Sequence, residues 1–223
     1  MSQSLPHTDH QLKASITRAL EWAPEVDSDR IGVSVTQGAV TLAGEVLTYP
    51  EKTAAITTVL GVHGVTGLAD QIVVKHGWGS RPDVDVARDL TAALTASVVV
   101  PAGAVQATVQ DNWVTLTGEV AWNYQREAAA QVVGGISGVT GVHNRVAITP
   151  VLTFAAVEAQ AHVRSALMRN ALTDARTITV TSSGTELELS GTVRSWHEFR
   201  EAGDAAWATP GVTLVTNNLV VVA

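Results

Sequence analysis

Seven histidines are spread along the chain: His7, His10, His63, His76, His143, His162 and His197. A metal site needs several converging ligands at suitable spacing. No His-x-x-x-His pair occurs, and His7 and His10 lie at a terminus, where chains fray. There is no cysteine, which excludes disulfides, thiolate ligands and a Cys nucleophile. No Gly-x-Ser-x-Gly elbow is present, and no nucleophile is paired with a base. Glu45 and Glu119 share a local sequence, Gly-Glu-Val. Acid–base work by carboxylates needs two of them in one pocket with divergent environments. These two read instead as solvated carboxylates at strand ends, near the next helix N-terminus. The expectation is no catalytic residue, no metal and no cofactor.

Two loops, Gly61-Val-His-Gly64 and Gly135-Ile-Ser-Gly138, have the Gly-x-x-Gly spacing of backbone clamps for single-stranded nucleic acid. Such a clamp needs flanking Lys or Arg to meet phosphates. Neither loop has a basic neighbour, so both read as helix ends leading into a strand.

The elements that would position any site come from an internal repeat. Val-Thr-Leu-Ala-Gly-Glu-Val (40–46) recurs as Val-Thr-Leu-Thr-Gly-Glu-Val (114–120) and more loosely as Leu-Glu-Leu-Ser-Gly-Thr-Val (187–193). Gly44, Gly118 and Gly191 serve as origins. Each has Ala-Leu 24 residues upstream (Leu20, Leu94, Leu167) and Gly-Val 20 downstream, at Gly64, Gly138 and Gly211. An Asx residue follows 26 downstream, at Asp70, Asn144 and Asn217. Four anchors in one register through three copies define three repeats.

Each repeat opens with a helical stripe: Leu12, Ile16, Ala19 and Leu20; Val86, Leu90, Ala93 and Leu94; Ala159, Val163, Ala166 and Leu167. Two short alternating runs follow, joined by hairpin turns at Gln37-Gly38, Asp111-Asn112 and Ser182-Ser183-Gly184. A second helix starts at Thr48-x-x-Glu51 and Ser195-x-x-Glu198, both capping boxes. A last strand covers 71–74, 145–148 and 219–222. A strand–helix–strand crossover is right-handed and brings that strand in parallel to the second. The predicted fold is α+β: three tandem αββαβ modules, each a three-stranded mixed sheet with both helices on one face. Their bounds are 1–78, 79–150 and 151–223, with linkers at His76–Pro82 and Thr149–Thr153.

Six tryptophans stand out: Trp22, Trp78, Trp113, Trp122, Trp196 and Trp207. Trp22 is matched in the other copies by Ala96 and Arg169, Trp113 by Ala39 and Glu186, and Trp122 by Thr48 and Ser195. Positions that accept Arg, Glu or a capping Ser face solvent. Trp207 is matched by Leu60 and Gly134 and reads as core. Two readings of Trp22, Trp113 and Trp122 remain open: they fill seams between repeats, or they form a binding surface with Tyr124. The middle repeat, with Trp113, Trp122 and Tyr124, is the expected contact site, because large aromatics bury much area with few rotors.

The 223 residues carry 14 basic and 21 acidic side chains, a net charge of −7. The repeats carry −3, −2 and −2, so none is basic, and phosphate binding to nucleic acid is excluded. A polybasic cluster, the usual source of affinity for anionic lipid, is missing as well. Hydrophobic residues make up 46%, as in globular chains. No apolar run reaches about 18 residues. The N-terminal Met-Ser-Gln-Ser-Leu-Pro-His-Thr-Asp-His lacks the basic and apolar regions of a secretory signal, which gives a cytoplasmic expectation, with export as the alternative if a leader was trimmed.

The Val-Thr-Leu-x-Gly-Glu-Val strand, the helix after it and the Gly-Val…Asx-x-apolar ending resemble the BON domain, in three tandem copies. The third copy departs, with Glu186 and Glu188 in its strand and Thr192 in place of Glu. The resemblance implies a non-enzymatic bacterial module tied to osmotic or envelope stress, phospholipid association and transport- or chaperone-like roles. Its implied partners are phospholipid or a client protein. A cytoplasmic ligand sensor for a monovalent cation such as potassium is the alternative. The oligomeric state is left open.

Overall fold

The computed structural model describes residues 8–75, 79, 81–149 and 177–222. The expected first helix of the third repeat, Trp78, His7, His76, His162 and most of both linkers lie outside the described residues. Contacts divide the chain into two compact units. One holds residues 1–78 with 194–197 and 221–223; the other holds 79–193 with 198–220.

In the first unit, α1 (Asp9–Glu21) leads through a short 3-10 turn to the hairpin β1 (Ile31–Thr36) and β2 (Ala39–Val46). Then come α2 (Tyr49–Leu60) and β3 (Gly67–Val74). The sheet order is β1-β2-β3, antiparallel on one side of β2 and parallel on the other. Side chains alternate along β2, so Val40, Leu42 and Val46 point into the core. Leu12, Ile16 and Leu20 from α1 and Ala55 and Val59 from α2 close over that same face. The other face stays solvated. There Lys75, just past β3, bonds Glu45 on the adjacent strand β2, so Glu45 is a cross-strand surface partner.

The second repeat copies this plan. Helix α3 (Asp83–Ala96) precedes β4 (Val105–Gln110) and β5 (Trp113–Val120); α4 (Asn123–Gly134) precedes β6 (Gly141–Asn144) and β7 (Ala147–Ile148). Both β6 and β7 pair in parallel with β5. Val86, Leu90, Leu94, Val114, Leu116, Val120, Ala129 and Val133 form its core. In the third repeat, β8 (Ile178–Ser183), β9 (Glu186–Val193), α5 (Trp196–Trp207) and β10 (Leu214–Val221) are described, with β9 central. Three mixed sheets of three strand positions, the last position broken into β6 and β7 in the second repeat, and their helices are thus the tandem α+β modules expected from the repeat. Among the described residues, no helix is long and apolar enough to cross a membrane.

The repeat anchors each have a physical reason. Gly44, Gly118 and Gly191 adopt φ of 150°, 129° and 124°, and a Cβ there would stand 2.0–2.1 Å from the carbonyl oxygens of Arg30, Ala104 and Thr177. Backbone leaves no room for a side chain. Gly64, Gly138 and Gly211 take the left-handed turn after the second helix (φ 95°, 99°, 82°), and Val65, Val139 and Val212 behind them are buried. Gly61 and Gly135, expected as helix ends, do cap α2 and α4, but in right-handed backbone.

The Asx anchor lies inside the last strand rather than before it: β3 begins at Gly67 and β10 at Leu214. The first half of that strand carries no clean alternation, which hid it from the hydrophobic pattern. Asn144 and Asn217 each accept from the backbone two residues on and donate Nδ2 to a helix carbonyl, Arg126 (2.8 Å) and Phe199 (3.1 Å). Asp70 also accepts from Ile72 but has nothing to donate. There Lys52, at the repeat position of Arg126 and Phe199, supplies an ammonium 2.8 Å from Asp70 and 2.7 Å from the Ile72 carbonyl.

A second link joins helix to hairpin. The turns at Gln37-Gly38 and Asp111-Asn112 have positive φ at both residues, the geometry that matches strand twist. Asp9, at the start of α1, accepts from Gln37 N (2.9 Å) and Gly38 N (3.1 Å). Asp83, its repeat partner, accepts from Asp111 N and Asn112 N, both at 2.9 Å.

Two outcomes follow. Gly118→Ala lowers folding stability by about 2–4 kcal/mol in denaturant titration, since strain and overpacking both act there. Loss of less than about 0.5 kcal/mol would mean the backbone yields easily. Lys52→Met costs about 1–3 kcal/mol by leaving the half-buried Asp70 carboxylate unpaired. Adding Asp70→Asn recovers most of that loss, because an amide can make the bond seen at Asn144. A double-mutant cycle with no coupling refutes this.

Candidate functional site

The N-terminus of α4 is where the middle repeat departs from its sisters. Thr48 caps α2 by accepting from Glu51 N at 3.2 Å, and Glu51 reaches back to Leu47 N at 2.9 Å. At the same place α4 has Trp122, whose indole offers no acceptor, and the helix lacks a side-chain cap. Only the returning half survives: Gln125 Oε1 accepts from Ala121 N and Trp122 N, each at 3.1 Å. A helix start without Ser, Thr, Asp or Asn forgoes about 1 kcal/mol.

Trp122 and the exposed Tyr124 form a pair, ring centroids 6.5 Å apart and tilted by 30°. Both line an open cleft of about 950 Å³ within the second unit, between α4 and α5. Its other walls include Asn123, Glu127, Asp204 and Trp207. Trp207 packs against the core of the second repeat, as its apolar repeat partners suggested, and is only partly buried. The Arg126 guanidinium carbon sits 4.6 Å from the centroid of its ring, a cation–π contact. Arg126 also pairs with Glu127 at 3.3 Å. Asn123 Oδ1 is buried without a hydrogen-bond partner among the described residues.

The Asp204 carboxyl is held above its ordinary pKa, first by partial loss of water and then by the nearby Glu201 charge, with Arg200 acting against them. It makes no ion pair or side-chain hydrogen bond among the described residues, and the Arg200 charge offsets only part of its shift.

The other expected contact residues lie elsewhere. Trp113 opens β5 and Val120 closes it, a separation of about 23 Å for an extended strand. Trp113 and Trp122 therefore do not frame one edge around Gly118 and Glu119. Trp113 lies over Gly141, its partner across the sheet, and stacks on His143 with centroids 4.8 Å apart. Glu119 accepts from the Thr149 hydroxyl at 3.1 Å. Trp22 is 81% exposed at the C-cap of α1.

Sequence reasoning did not single out Val98 and Val99. They are exposed, Val98 at 99%, in the loop from α3 to β4. Val105 pairs with Gly118, so this loop stands at the same sheet end as Trp122. Their exposure follows from no pattern in the chain; a Val-Val-Val run reads as a strand. Among the described residues no three His, Asp or Glu side chains gather as metal ligands.

The BON-domain family matches residues 8–76, 82–150 and 156–223. The chain belongs to the BON family. It is similar to osmotically-inducible protein Y of Escherichia coli (strain K12), 28% identical over 141 residues that cover 61% of this chain and 70% of that protein. Among solved structures it is similar to CdsD, a structural protein of the type III secretion system of Chlamydia trachomatis. That likeness is 14% identical and covers 94% of this chain and 91% of that one, with a TM-score of 0.27. The C-terminal domain of CdsD is matched at the same identity and TM-score, with 100% of each chain covered. Likenesses that loose say nothing of architecture or role.

The name of that relative ties it to osmotic induction. The cytoplasmic expectation is corrected: the relative is a periplasmic protein made with a signal peptide. A leader is removed from the mature chain, so the composition of folded BON domains does not report their compartment.

The missing cap gives a direct outcome. Trp122→Thr raises stability by about 0.5–1 kcal/mol in thermal or denaturant melts, because it restores the bond that Thr48 makes. A loss above about 1 kcal/mol would show instead that the indole is a packing element.

Proposed function

We propose that this chain is a non-enzymatic, stress-associated BON-domain binding protein whose contact surface is the apolar and aromatic end of the second repeat. Its partner is amphipathic: a phospholipid surface or an exposed segment of a client protein. The observation that supports this reading is Trp122 at a helix N-cap, where folding alone favours Thr or Ser as in the sister repeats. A large ring kept at a position that costs stability fits selection for contact. Tyr124 beside it, and Val98 and Val99 at the same sheet end, enlarge the apolar area.

The net charge of −7 bears on the mode of contact. Anionic membranes draw proteins through basic clusters worth about 1 kcal/mol per residue, and the described surface has only isolated, mostly paired cations. Contact therefore rests on apolar burial, with little dependence on salt.

The test is co-sedimentation with zwitterionic and anionic vesicles at low and high salt, alongside suppression of aggregation of an unfolded client. The Trp122→Ser/Tyr124→Ser variant keeps or raises its melting temperature, since Ser restores the cap, and loses binding in whichever assay the wild type is positive. Unchanged binding overturns the proposal. Strong, salt-sensitive sedimentation with anionic vesicles overturns the apolar mode.

A further inference from the structure

We infer that the cleft between α4 and α5 binds an alkylammonium group, presented either by a free solute or by a zwitterionic lipid head group. This rests on the reading of that cleft as the contact surface and names the chemistry it takes. Three rings, those of Trp122, Tyr124 and Trp207, line the one cleft. The face of an aromatic ring carries negative charge density, and it attracts an ammonium within about 6 Å. One of the three rings already takes a cation: the Arg126 guanidinium carbon stands 4.6 Å from the centroid of Trp207.

Charge points the same way. Arg126 is engaged by Glu127, so it does not neutralise Asp204. Asp204 faces the cleft with no ion pair among the described residues. Lost water and the Glu201 charge raise its pKa more than the Arg200 charge lowers it, so a further cation would favour the carboxylate. Rings alone would take any apolar group, and a carboxylate alone would take any cation. Together they favour a cation that is bulky, weakly hydrated and partly apolar. A small, strongly hydrated metal ion is disfavoured, because ring faces do not replace its water.

The experiment is isothermal titration of the full chain with choline chloride, against potassium chloride at matched ionic strength. Choline is expected to give saturable heat and potassium none. Asp204→Asn and Trp122→Ser are each expected to weaken choline about fivefold without loss of melting temperature, the scale of one exposed cation–π or charge contact. Trp207 is left intact because it packs on the core.

Phosphatidylcholine vesicles separate the two sources. Sedimentation that free choline displaces assigns the head group; choline binding without sedimentation assigns a free solute. No saturable choline heat, equal heat from potassium, or wild-type affinity in both variants overturns the inference. If choline fails while vesicle or client binding still depends on Trp122 and Tyr124, only the alkylammonium assignment falls. If choline binds and those contacts do not occur, the broader contact surface falls instead.

Discussion

The central strand of each repeat carries a glycine whose missing Cβ would stand about 2 Å from a carbonyl oxygen at the entry of the first strand. That close approach sets the pairing of Gly44 with Ile31, Gly118 with Val105 and Gly191 with Ile178. Register in a hairpin leaves no freedom once one pair is fixed, because a slip by one residue turns every side chain to the other face. Val40, Leu42 and Val46, with their counterparts in the other copies, face the helices only in this register. The hairpin turn, the helix that crosses back and the last strand then follow at fixed distances, which is why the offsets of the anchors hold so closely in three copies.

Much of this was legible because it is periodic or repeated. The helical stripes, the alternating strands and the turn residues each report a local rule, and threefold repetition made their agreement visible. The bonds between elements were not legible in the same way. Asp9 and Asp83 hold the hairpin turns, yet each is one acid in the first turn of a helix, where acids are common for other reasons. The partnership of Lys52 with Asp70 likewise appears only when the third dimension shows Asn144 and Asn217 donating to helix carbonyls. An Asp for Asn exchange removes a donor, and a neighbouring Lys replaces it.

The candidate site was legible by contrast between copies. Trp122 and Tyr124 stood out because a capping residue belongs where Trp122 is found. Trp113 stood out by the same comparison, yet β5 carries it to the far end of the sheet over Gly141 and His143. Comparison of repeats identifies which positions are free to change; it does not say which free positions meet. Trp207 and Asp204 were beyond its reach as site residues, because they come from a different repeat and join Trp122 only through the packing of α5 in the second unit.

A module of about 70 residues has a thin core and little stability to spare. In that setting a helix start without its cap is a sizeable concession; the first repeat does not make it, since Thr48 caps its helix, and the third has a capping residue type, Ser195, at that place. Three copies of one fold allow this division. Two can keep the capping residue the fold prefers, while the middle one exchanges it for a ring that reaches out of the fold. The exchange is tolerable because Gln125 still satisfies two backbone donors at the start of α4. The helix start thus keeps the half of the box that Gln125 provides and gives up the half that a Thr would add, which leaves the residue at the cap to be chosen for what it touches.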